Sequence, residues 1–449
     1  MTTTRTWTFP ALLDFLVQNR KIDLLSKGLH GIEKESLRVK ADGSLALTPH
    51  PAALGSSYNN PQITTDFSES QLELITPPLD TIEKSLGALK QIHQFVTQRL
   101  GDEYIWPFSM PCALPEEADI PIAYYGESEA AQKKVLYRKG LAARYGKKMQ
   151  MLSGVHYNTS FSAELWQSLH AHFAPETDLQ SFINESHLRV VRNFIRHRWL
   201  LIYLFGASPS FHESYKCPKV KAHMDTAIAL RMSKCGYANS AKVEIDYNSF
   251  GGFINSLQTA IDTPYAPYDA FEGHQLNNHI LQLANEYYFP IRMKPGTNDF
   301  LEGLKTVGVR YLEVRLFDLN PLEAIGVTEE QLYFTHLFLL ACLLHDSPSL
   351  NSEELNETTN RQQDVALKGR SMELPIEEWS KPLMNDLLTL AKHLKNPKYE
   401  VVVEIMQKRI QDPTQLPSYK VMHQMQEKQM DFLTFGMDQA KHFKQNLLQ

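Results

Sequence analysis

The sequence lacks three features that would each point to a particular class of protein: an excess of positive charge, a cysteine motif and a long hydrophobic run. Its 449 residues include 45 Lys and Arg against 51 Asp and Glu, which gives a net charge of −6. This balance excludes the broad basic surface of a nucleic-acid-binding protein. A phosphate-containing ligand would therefore need local neutralisation, by metal ions and a few placed arginines.

Cysteine is scarce, and its spacing indicates no cluster. The four cysteines follow neither a CxxC pattern nor a cysteine–histidine spacing, which argues against a zinc site and against a disulfide framework. We therefore predict reduced thiols at Cys112, Cys217, Cys235 and Cys342. Cys235 has no histidine in an interpretable motif, so we interpret it as a pocket-wall or core residue rather than a nucleophile.

No apolar segment is long enough to predict a membrane span. The longest, WLLIYLFGA at residues 199–207, falls far short of the ~20 residues that a membrane helix needs and predicts a buried core helix. The N-terminal stretch MTTTRTWTFPALLDFLVQ lacks the features of a secretory signal. The composition, 43% hydrophobic and 21% charged residues, is typical of a globular protein, and we expect a cytoplasmic location.

The pattern of helices and strands predicts an α+β fold. Helical periodicity is clear at residues 82–99, 188–205, 327–345 and 425–448, and short alternating segments lie between the helices without a βαβ rhythm. This arrangement favours an antiparallel sheet. We predict a catalytic domain at residues 1–345 and a mostly helical C-terminal region at residues 346–449, packed on the same domain.

Four alternating segments, at residues 31–39, 71–76, 153–161 and 310–318, combine a largely apolar face with an unusual polar face. A half-solvated antiparallel strand also has a polar face, and that simpler interpretation applies to each segment alone. An ordinary exposed face, however, is rich in lysine, whereas these carry carboxylates, one histidine and one arginine. The polar faces contain Glu33, Glu35, Glu73, His156, Asn158, Glu313 and Arg315.

Carboxylates placed this way need a cation if the strands face one cavity. Two carboxylates at i and i+2 lie ~7 Å apart and repel by roughly 2 kcal/mol at an effective dielectric of ~20. Oxygen ligands with one imidazole suit Mg²⁺ or Mn²⁺, and several carboxylates suggest more than one ion. The sequence alone does not show that the strands converge.

Nine segments, in order, resemble the glutamate-cysteine ligases of the proteobacterial type. They are GIEKESLRV, ITTDFSESQLELITPP, WPFSMPC, LYRKGLAARYG, MQMLSGVHYNTSF, YLFGASPS, ALRMSKCGYAN, NEYYFPIR and YLEVRLFDLNPLEAIGV. Together they span residues ~25 to ~330 with modest gaps.

The resemblance implies a fold similar to the catalytic domain of glutamine synthetase, a curved antiparallel sheet that forms a funnel-shaped active site with helices around it. It also implies a reaction in which the γ-carboxylate of glutamate attacks the γ-phosphate of ATP, and the amino group of cysteine displaces phosphate from γ-glutamyl phosphate. ATP is then a co-substrate, and Mg²⁺, as more than one ion, with Mn²⁺ as an alternative, is the expected cofactor. The small-molecule substrates are the expected partners, with no nucleic acid, no membrane and a chain that can act as a monomer.

The resemblance also assigns site residues. Arg315, Glu33 and Glu313 are the expected catalytic residues, with Arg315 reaching the γ-phosphate as a fork of donors. The thiol side of the acceptor pocket is assigned to Tyr137, Leu141, Tyr237 and Tyr288, carboxylate recognition to Arg138 and Arg231, and a further substrate contact to Gln150. The implied metal ligands are Glu33, Glu35, Asp66, Glu73, His156 and Glu313.

Several points depart from the family pattern or stay open. Lys34 stands where arginine is more usual, but it should point away from the acids. Glu69 is equally well explained as a capping residue, and Glu244 and Asp246 are expected to face solvent. Two alternatives remain beside glutamate-cysteine ligase: a γ-glutamyl ligase with another amine acceptor, such as methylamine or ammonia, and a catalytically inactive nucleotide-binding relative.

Overall fold

One antiparallel sheet lies at the centre of residues 7–448, which are the residues that the structure, a computed structural model, describes. Its strand order is β2-β3-β1-β5-β7-β6, and β4 pairs with the end of β1. The predicted α+β class with an antiparallel sheet is confirmed. The strands are β1 (His30–Val39), β2 (Ile63–Thr65), β3 (Gln71–Ile75), β4 (Tyr104–Ile105), β5 (Val155–Thr159), β6 (Ile291–Lys294) and β7 (Tyr311–Phe317).

Fourteen α-helices surround this sheet within residues 7–448, and the last five account for most of the chain after residue 351. They are α1 (Phe9–Gln18), α2 (Ile82–Thr97), α3 (Glu129–Tyr145), α4 (Lys147–Gln150), α5 (Ala163–Phe173), α6 (Leu179–Phe205), α7 (Phe250–Asp262), α8 (Phe300–Thr306), α9 (Glu329–Leu344), α10 (Ser352–Lys368), α11 (Ile376–His393), α12 (Lys398–Gln411), α13 (Pro417–Glu427) and α14 (Phe432–Leu448).

The apolar back of the sheet packs on a layer of helices. Ile32, Val155, Leu312 and Val314 are fully buried there, and α2, α6 and α9 contact the sheet or one another behind it. Helix α9 is buried around its whole circumference, as its nearly continuous apolar sequence requires. The core helix predicted from WLLIYLFGA is the buried end of α6.

The prediction of one continuous helix at residues 425–448 is wrong, because two helices occupy that stretch. Helix α13 ends at Glu427 and α14 begins at Phe432. Gln429 between them adopts a positive φ of 53°, and the Met430 N–H donates to the Met425 carbonyl, a left-handed helix ending. Periodicity hid the break because Met425 and Phe432 are both buried on the same core.

The prediction of four reduced thiols is also wrong. Cys217 and Cys235 form a disulfide with their Cα atoms 5.8 Å apart, while Cys112 and Cys342 are free and buried. The two bonded residues are 18 positions apart, and they meet because the intervening chain folds back through turns and two short 3-10 helices, Pro218–His223 and Leu230–Met232. Spacing alone cannot show such a return of the chain.

Residues 1–6 of the N-terminal stretch lie outside the described residues, and α1 begins at Phe9. Among residues 7–448, every helix is too short or too polar to cross a lipid bilayer.

Candidate active site

The register of the sheet brings the polar strand faces together. Glu35 on β1 lies directly opposite Glu73 on β3, and Glu33 on β1 lies directly opposite His156 on β5. Farther along, Glu313 on β7 pairs with Asn158 on β5. Because paired residues in an antiparallel sheet project to the same face, these side chains form one continuous polar front.

His156 lies at the centre of this front. Its Nδ1 is 3.2 Å from Glu33 Oε2 and 3.5 Å from Glu313 Oε1, and its Nε2 is 3.4 Å from Glu35 Oε1. One ligand atom from each of Glu33, His156 and Glu313 lies within 4.8 Å of the others. Asn158 donates to Glu33 Oε1 at 2.9 Å and so helps to hold that carboxylate in place.

Glu35, Glu73 and Asp66 form a second group of acids. Burial, and then repulsion from Glu33, Asp66 and Glu35, raises the pKa of Glu73 well above its usual value. Burial likewise raises the pKa of Glu35, against the attraction of His156. Within residues 7–448 the Glu73 carboxylate has no hydrogen bond or ion pair, and attraction to Arg315 is outweighed by burial and by the neighbouring acids.

The opposite end of the front is cationic. Arg315 Nη1 donates to Glu313 Oε1 at 2.8 Å, and Arg292 Nη1 and Lys294 Nζ each lie 3.7 Å from Glu313 Oε2. Burial alone would raise the pKa of Glu313, but attraction to Arg315, Lys294 and Arg292 outweighs it and holds that pKa well below its usual value. The sheet front therefore runs from an acidic half on β3 and β1 to a basic half on β7 and β6.

Arg292 and Lys294 are missing from the predicted site residues. Their sequence signal was present, since they occupy alternate positions of the IRMK segment that forms β6. Only the pairing of Arg292 with Glu313 shows that they face the same way as the acids. Asn158 was seen on the polar face of its strand but was not assigned a role.

All the predicted site residues line one cavity of about 320 Å³ in front of the sheet. Six carboxylates and five Arg and Lys side chains meet there, so the cavity is close to neutral overall although its halves are strongly charged. The predicted residues that line it are Glu33, Glu35, Asp66, Glu73, His156, Glu313, Arg315, Tyr137, Arg138, Leu141, Gln150, Arg231, Tyr237 and Tyr288.

The aromatic wall of the cavity comes from three separate parts of the chain. Tyr137 and Leu141 lie one turn apart on α3, whereas Tyr237 and Tyr288 lie in irregular segments. The rings of Tyr237 and Tyr288 are 6.0 Å apart between centroids, and the Tyr288 hydroxyl donates to the Arg315 carbonyl at 3.4 Å.

The two arginines expected to read carboxylates are already held by backbone carbonyls. Arg231 donates to the carbonyls of Arg315 and Phe317 at 3.1 and 3.3 Å, and Arg138 donates to the carbonyl of Asp66. A Cβ at Gly154 would lie 2.3 Å from Arg231 Nη2, so the Arg231 position requires glycine there. These contacts fix both guanidinium groups at the cavity wall.

The donor set fits a divalent cation. Glu313 Oε2 is buried and has no hydrogen-bond partner among residues 7–448. Carboxylates that repel one another, with a single imidazole among them, suit a hard cation such as Mg²⁺ or Mn²⁺. Buried donors of Arg315 and Gln150, the Nε and Nε2 atoms, also lack a partner in the described residues, as expected of groups that contact a ligand.

The remaining acids and Lys34 lie away from this cavity. Lys34 is buried on the other face of β1, with its Nζ 2.6 Å from His93 Nε2, which confirms that it points away from the acids. Glu69 accepts the N–H groups of His50 and Tyr124 at 2.5 Å each, a structural role. Glu244 and Asp246 are exposed as expected, although their segment forms no strand.

Comparison with known proteins gives a consistent result. Residues 13–365 match the sequence model of the family described as Glutamate-cysteine ligase. The chain is 40% identical to the glutamate–cysteine ligase of Pseudomonas entomophila, over 94% of this chain and 86% of that protein. It is 38% identical to the enzyme of the same name from Pseudomonas aeruginosa, over 95% of this chain and 88% of that protein.

Two solved structures share the fold closely. The glutamate–cysteine ligase of Francisella tularensis, solved in complex with AMP, superposes with a TM-score of 0.88 at 31% identity, over 94% of this chain and 89% of that chain. A bifunctional glutathione synthetase from Pasteurella multocida superposes with a TM-score of 0.84 at 30% identity, over 96% of this chain and 54% of that chain.

Proposed function

The chain belongs to the glutamate-cysteine ligase family, and from this we propose how its cavity joins glutamate to cysteine at the expense of ATP. The protein is an ATP-dependent ligase that makes γ-glutamylcysteine, a step of glutathione biosynthesis. The observation that carries the residue assignments is that acids, imidazole, arginines and tyrosines from distant parts of the chain line one cavity. The alternative of an inactive relative is disfavoured, because a protein without catalysis gains nothing from mutually repelling carboxylates.

We assign the divalent cations to the carboxylates and the imidazole of the sheet front. Glu33, His156 and Glu313 would form one group of ligands, and Glu35, Asp66 and Glu73 a second. When bound, Mg²⁺ supplies positive charge to the phosphate oxygens of ATP and to the acids that surround it. Within residues 7–448, Glu313 Oε2 accepts no hydrogen bond and the Glu73 carboxylate has no ion pair, which supports this assignment.

We assign the phosphate chain of ATP to the basic half. Arg315, Arg292 and Lys294 converge on Glu313, and the Nε atoms of both arginines have no hydrogen-bond partner within residues 7–448. Phosphoryl transfer depends mainly on positioning and on neutralisation of charge. In this proposal Arg315 donates to the γ-phosphoryl group while the glutamate γ-carboxylate attacks it, giving γ-glutamyl phosphate and ADP.

We assign the amine acceptor to the tyrosine wall. Tyr137, Leu141, Tyr237 and Tyr288 offer ring faces and one aliphatic group to a small side chain such as the thiol of cysteine. Arg138, Arg231 and Gln150 lie at the edges of this wall and would hold the substrate carboxylates. The amino group of cysteine then displaces phosphate from γ-glutamyl phosphate to form the amide.

The experiment that tests this function is an assay of ADP release by the purified protein with Mg²⁺, ATP and glutamate. Cysteine, 2-aminobutyrate, methylamine, ammonia and no acceptor are compared at equal concentrations. We expect fast release with the two small α-amino acids and background release with the rest. Preference for methylamine or ammonia would contradict the assignment of the acceptor pocket, and no release with any amine would contradict the ligase activity.

A further inference from the structure

The acceptor wall depends on segments that have no regular structure of their own. Tyr237 lies within residues 233–249, where there is no helix or strand, and Tyr288 lies between a 3-10 turn at Ala284–Glu286 and β6. Irregular segments hold a side chain in place only if other contacts fix them. The structure shows such contacts beneath the wall, and they converge on Glu286.

Glu286 and Arg144 form an ion pair that is fully removed from solvent. Arg144 Nη1 donates to Glu286 Oε1 at 2.9 Å, and both side chains are 0% exposed. Tyr145 donates to the same oxygen at 2.7 Å, and the Gln282 N–H donates to Glu286 Oε2 at 2.7 Å. Both carboxylate oxygens therefore have partners, which a buried charge requires.

Arg144 is satisfied as completely as its partner. Its Nε donates to Gln275 Oε1 at 2.9 Å, its Nη2 donates to the Asn277 carbonyl at 2.6 Å, and its guanidinium lies 4.1 Å from the centroid of the Tyr268 ring. The arginine thus joins α3 to residues 268–277, and through Glu286 to residues 282–288. Helix α3 is also the element that carries Tyr137 and Leu141.

The same pair contacts the two irregular segments of the wall through the backbone of Glu286 and through Tyr145. The Glu286 carbonyl accepts from the Tyr237 hydroxyl at 3.3 Å and from Asn239 Nδ2 at 3.4 Å. Asn239 also donates to the Tyr145 hydroxyl, and the Tyr145 and Tyr237 rings are 5.4 Å apart between centroids. Tyr288 is only two residues from Glu286.

Gln282 adds a direct link to the helical part of the wall. Its Nε2 donates to the Tyr137 carbonyl at 3.3 Å, and its side chain lies so close to α3 that a Cβ at Gly140 would be 2.0 Å from Gln282 Oε1. The glycine in LYRKGLAARYG therefore allows residues 282–288 to dock on α3. The Gln282 N–H donates to Glu286 Oε2, so the contact of residues 282–288 with α3 is connected directly to the Arg144–Glu286 ion pair.

We propose that the buried Arg144–Glu286 pair positions the acceptor pocket: it holds Tyr237 and Tyr288 against α3 and so determines how tightly the small α-amino acid acceptor binds. Glu286 borders the cavity, but the phosphate-facing cations and the acids of the sheet front lie on other elements, so the proposal gives neither charge of the pair a part in phosphoryl transfer. This inference rests on the proposed function of the tyrosine wall. It assigns both residues a positioning role and not a catalytic one.

The test separates acceptor binding from the activation of glutamate. Glu286→Gln keeps the size of the side chain but places an amide where Oε2 accepts the Gln282 N–H, so the wall should loosen. We expect the KM for cysteine to rise about tenfold, with the KM values for glutamate and ATP and the kcat at saturating cysteine within about twofold of wild type. Tyr145→Phe, which removes one hydrogen bond and keeps the ring, should give a smaller rise of the same kind.

The matched control is Tyr399→Phe, which removes a buried hydrogen bond of 2.7 Å to His336 between α9 and α12, away from the cavity. It should lower the melting temperature and leave the KM for cysteine unchanged. The proposal is overturned if the two pocket variants leave the KM for cysteine unchanged, or if all three KM values rise together. If the wild type prefers another amine, the proposed function fails, and the same KM comparison with that amine still decides the role of the pair.

Discussion

The acid cluster on the sheet front should cost the metal-free protein stability, and Glu73→Gln tests this. Glu73 lies directly opposite Glu35 in the β3–β1 pair, and Asp66 and Glu33 add to the repulsion. In contrast to Glu313, which is 2.8 Å from Arg315, Glu73 has no ion pair within residues 7–448, and the repulsion outweighs its attraction to Arg315. Replacing this carboxylate by an amide of equal size therefore removes repulsion and breaks no ion pair.

The size of the effect follows from the cross-strand geometry. Side chains directly opposite each other have Cβ atoms ~5 Å apart, and unit charges at that distance repel by about 3 kcal/mol at an effective dielectric of ~20. Water and salt enter the cavity and reduce the repulsion. We expect a gain of about 1 kcal/mol in the free energy of unfolding, which for a chain of this length is a rise of roughly 1 °C in melting temperature.

The pH dependence of this gain has a definite sign. The pKa of Glu73 is raised in the folded protein, so between its unfolded and folded pKa values the folded state binds more protons. Wild-type stability therefore falls as pH rises through that window. Glu73→Gln should therefore gain more stability over wild type as pH rises through that window, because the wild-type carboxyl acquires its charge there.

The assay is thermal unfolding in the presence of EDTA, followed by titration with Mg²⁺ and ATP. The variant should melt above wild type in EDTA, gain less from Mg²⁺ and ATP, and lose most of its turnover. Glu357→Gln, an exposed acid on α10, controls for the change in net charge. A lower melting temperature for Glu73→Gln in EDTA would refute the repulsion argument, and normal turnover would refute Glu73 as a metal ligand.

Two further predictions concern the sheet front and the core. Glu33→Gln and Glu313→Gln should each abolish ADP release while circular dichroism still shows a folded protein, and near-normal activity in both would contradict the metal cluster. Burial lowers the pKa of His187 to about 4, so the unfolded chain takes up a proton below pH 6.5 that the folded protein resists, and stability is lost as pH falls from 6.5 to about 4. Urea unfolding at pH 7 and at pH 4.5 measures this loss in the free energy of unfolding. In His187→Gln the loss should be smaller than in wild type by up to about 3 kcal/mol. Equal losses in the two proteins would contradict this prediction.

Alternation along the chain was enough to predict which strands carry the polar front. A strand that buries one face must place every second side chain on the other, so Glu33, Glu35, His156 and Glu313 could be assigned to faces without coordinates. The same rule placed Lys34 behind the sheet, where it lies next to His93. The resemblance to a known family then supplied the aromatic and arginine residues, which no periodicity marks.

Local pattern failed wherever the chain returns on itself. The Cys217–Cys235 bond joins residues on either side of two short 3-10 helices, and the break at Gln429 leaves the apolar periodicity on both sides intact. The boundary between the predicted regions 1–345 and 346–449 stays a prediction. Gly436 of α14 lies against the Trp106 ring, so close that a Cβ would be 2.1 Å away, which is consistent with the C-terminal helices packing on the rest of the protein.

The sequence by itself determined the class of fold, the faces of the strands and the kinds of group available for chemistry, because these follow from the period-two and period-3.6 placement of side chains. Only the tertiary structure decided which of those groups meet. Strand register set Glu35 against Glu73 and Arg292 against Glu313, and long-range docking built the Arg144–Glu286 pair beneath the acceptor wall. Register and docking depend on packing between separate segments of the chain, up to 142 residues apart for Arg144 and Glu286, and no local pattern encodes it.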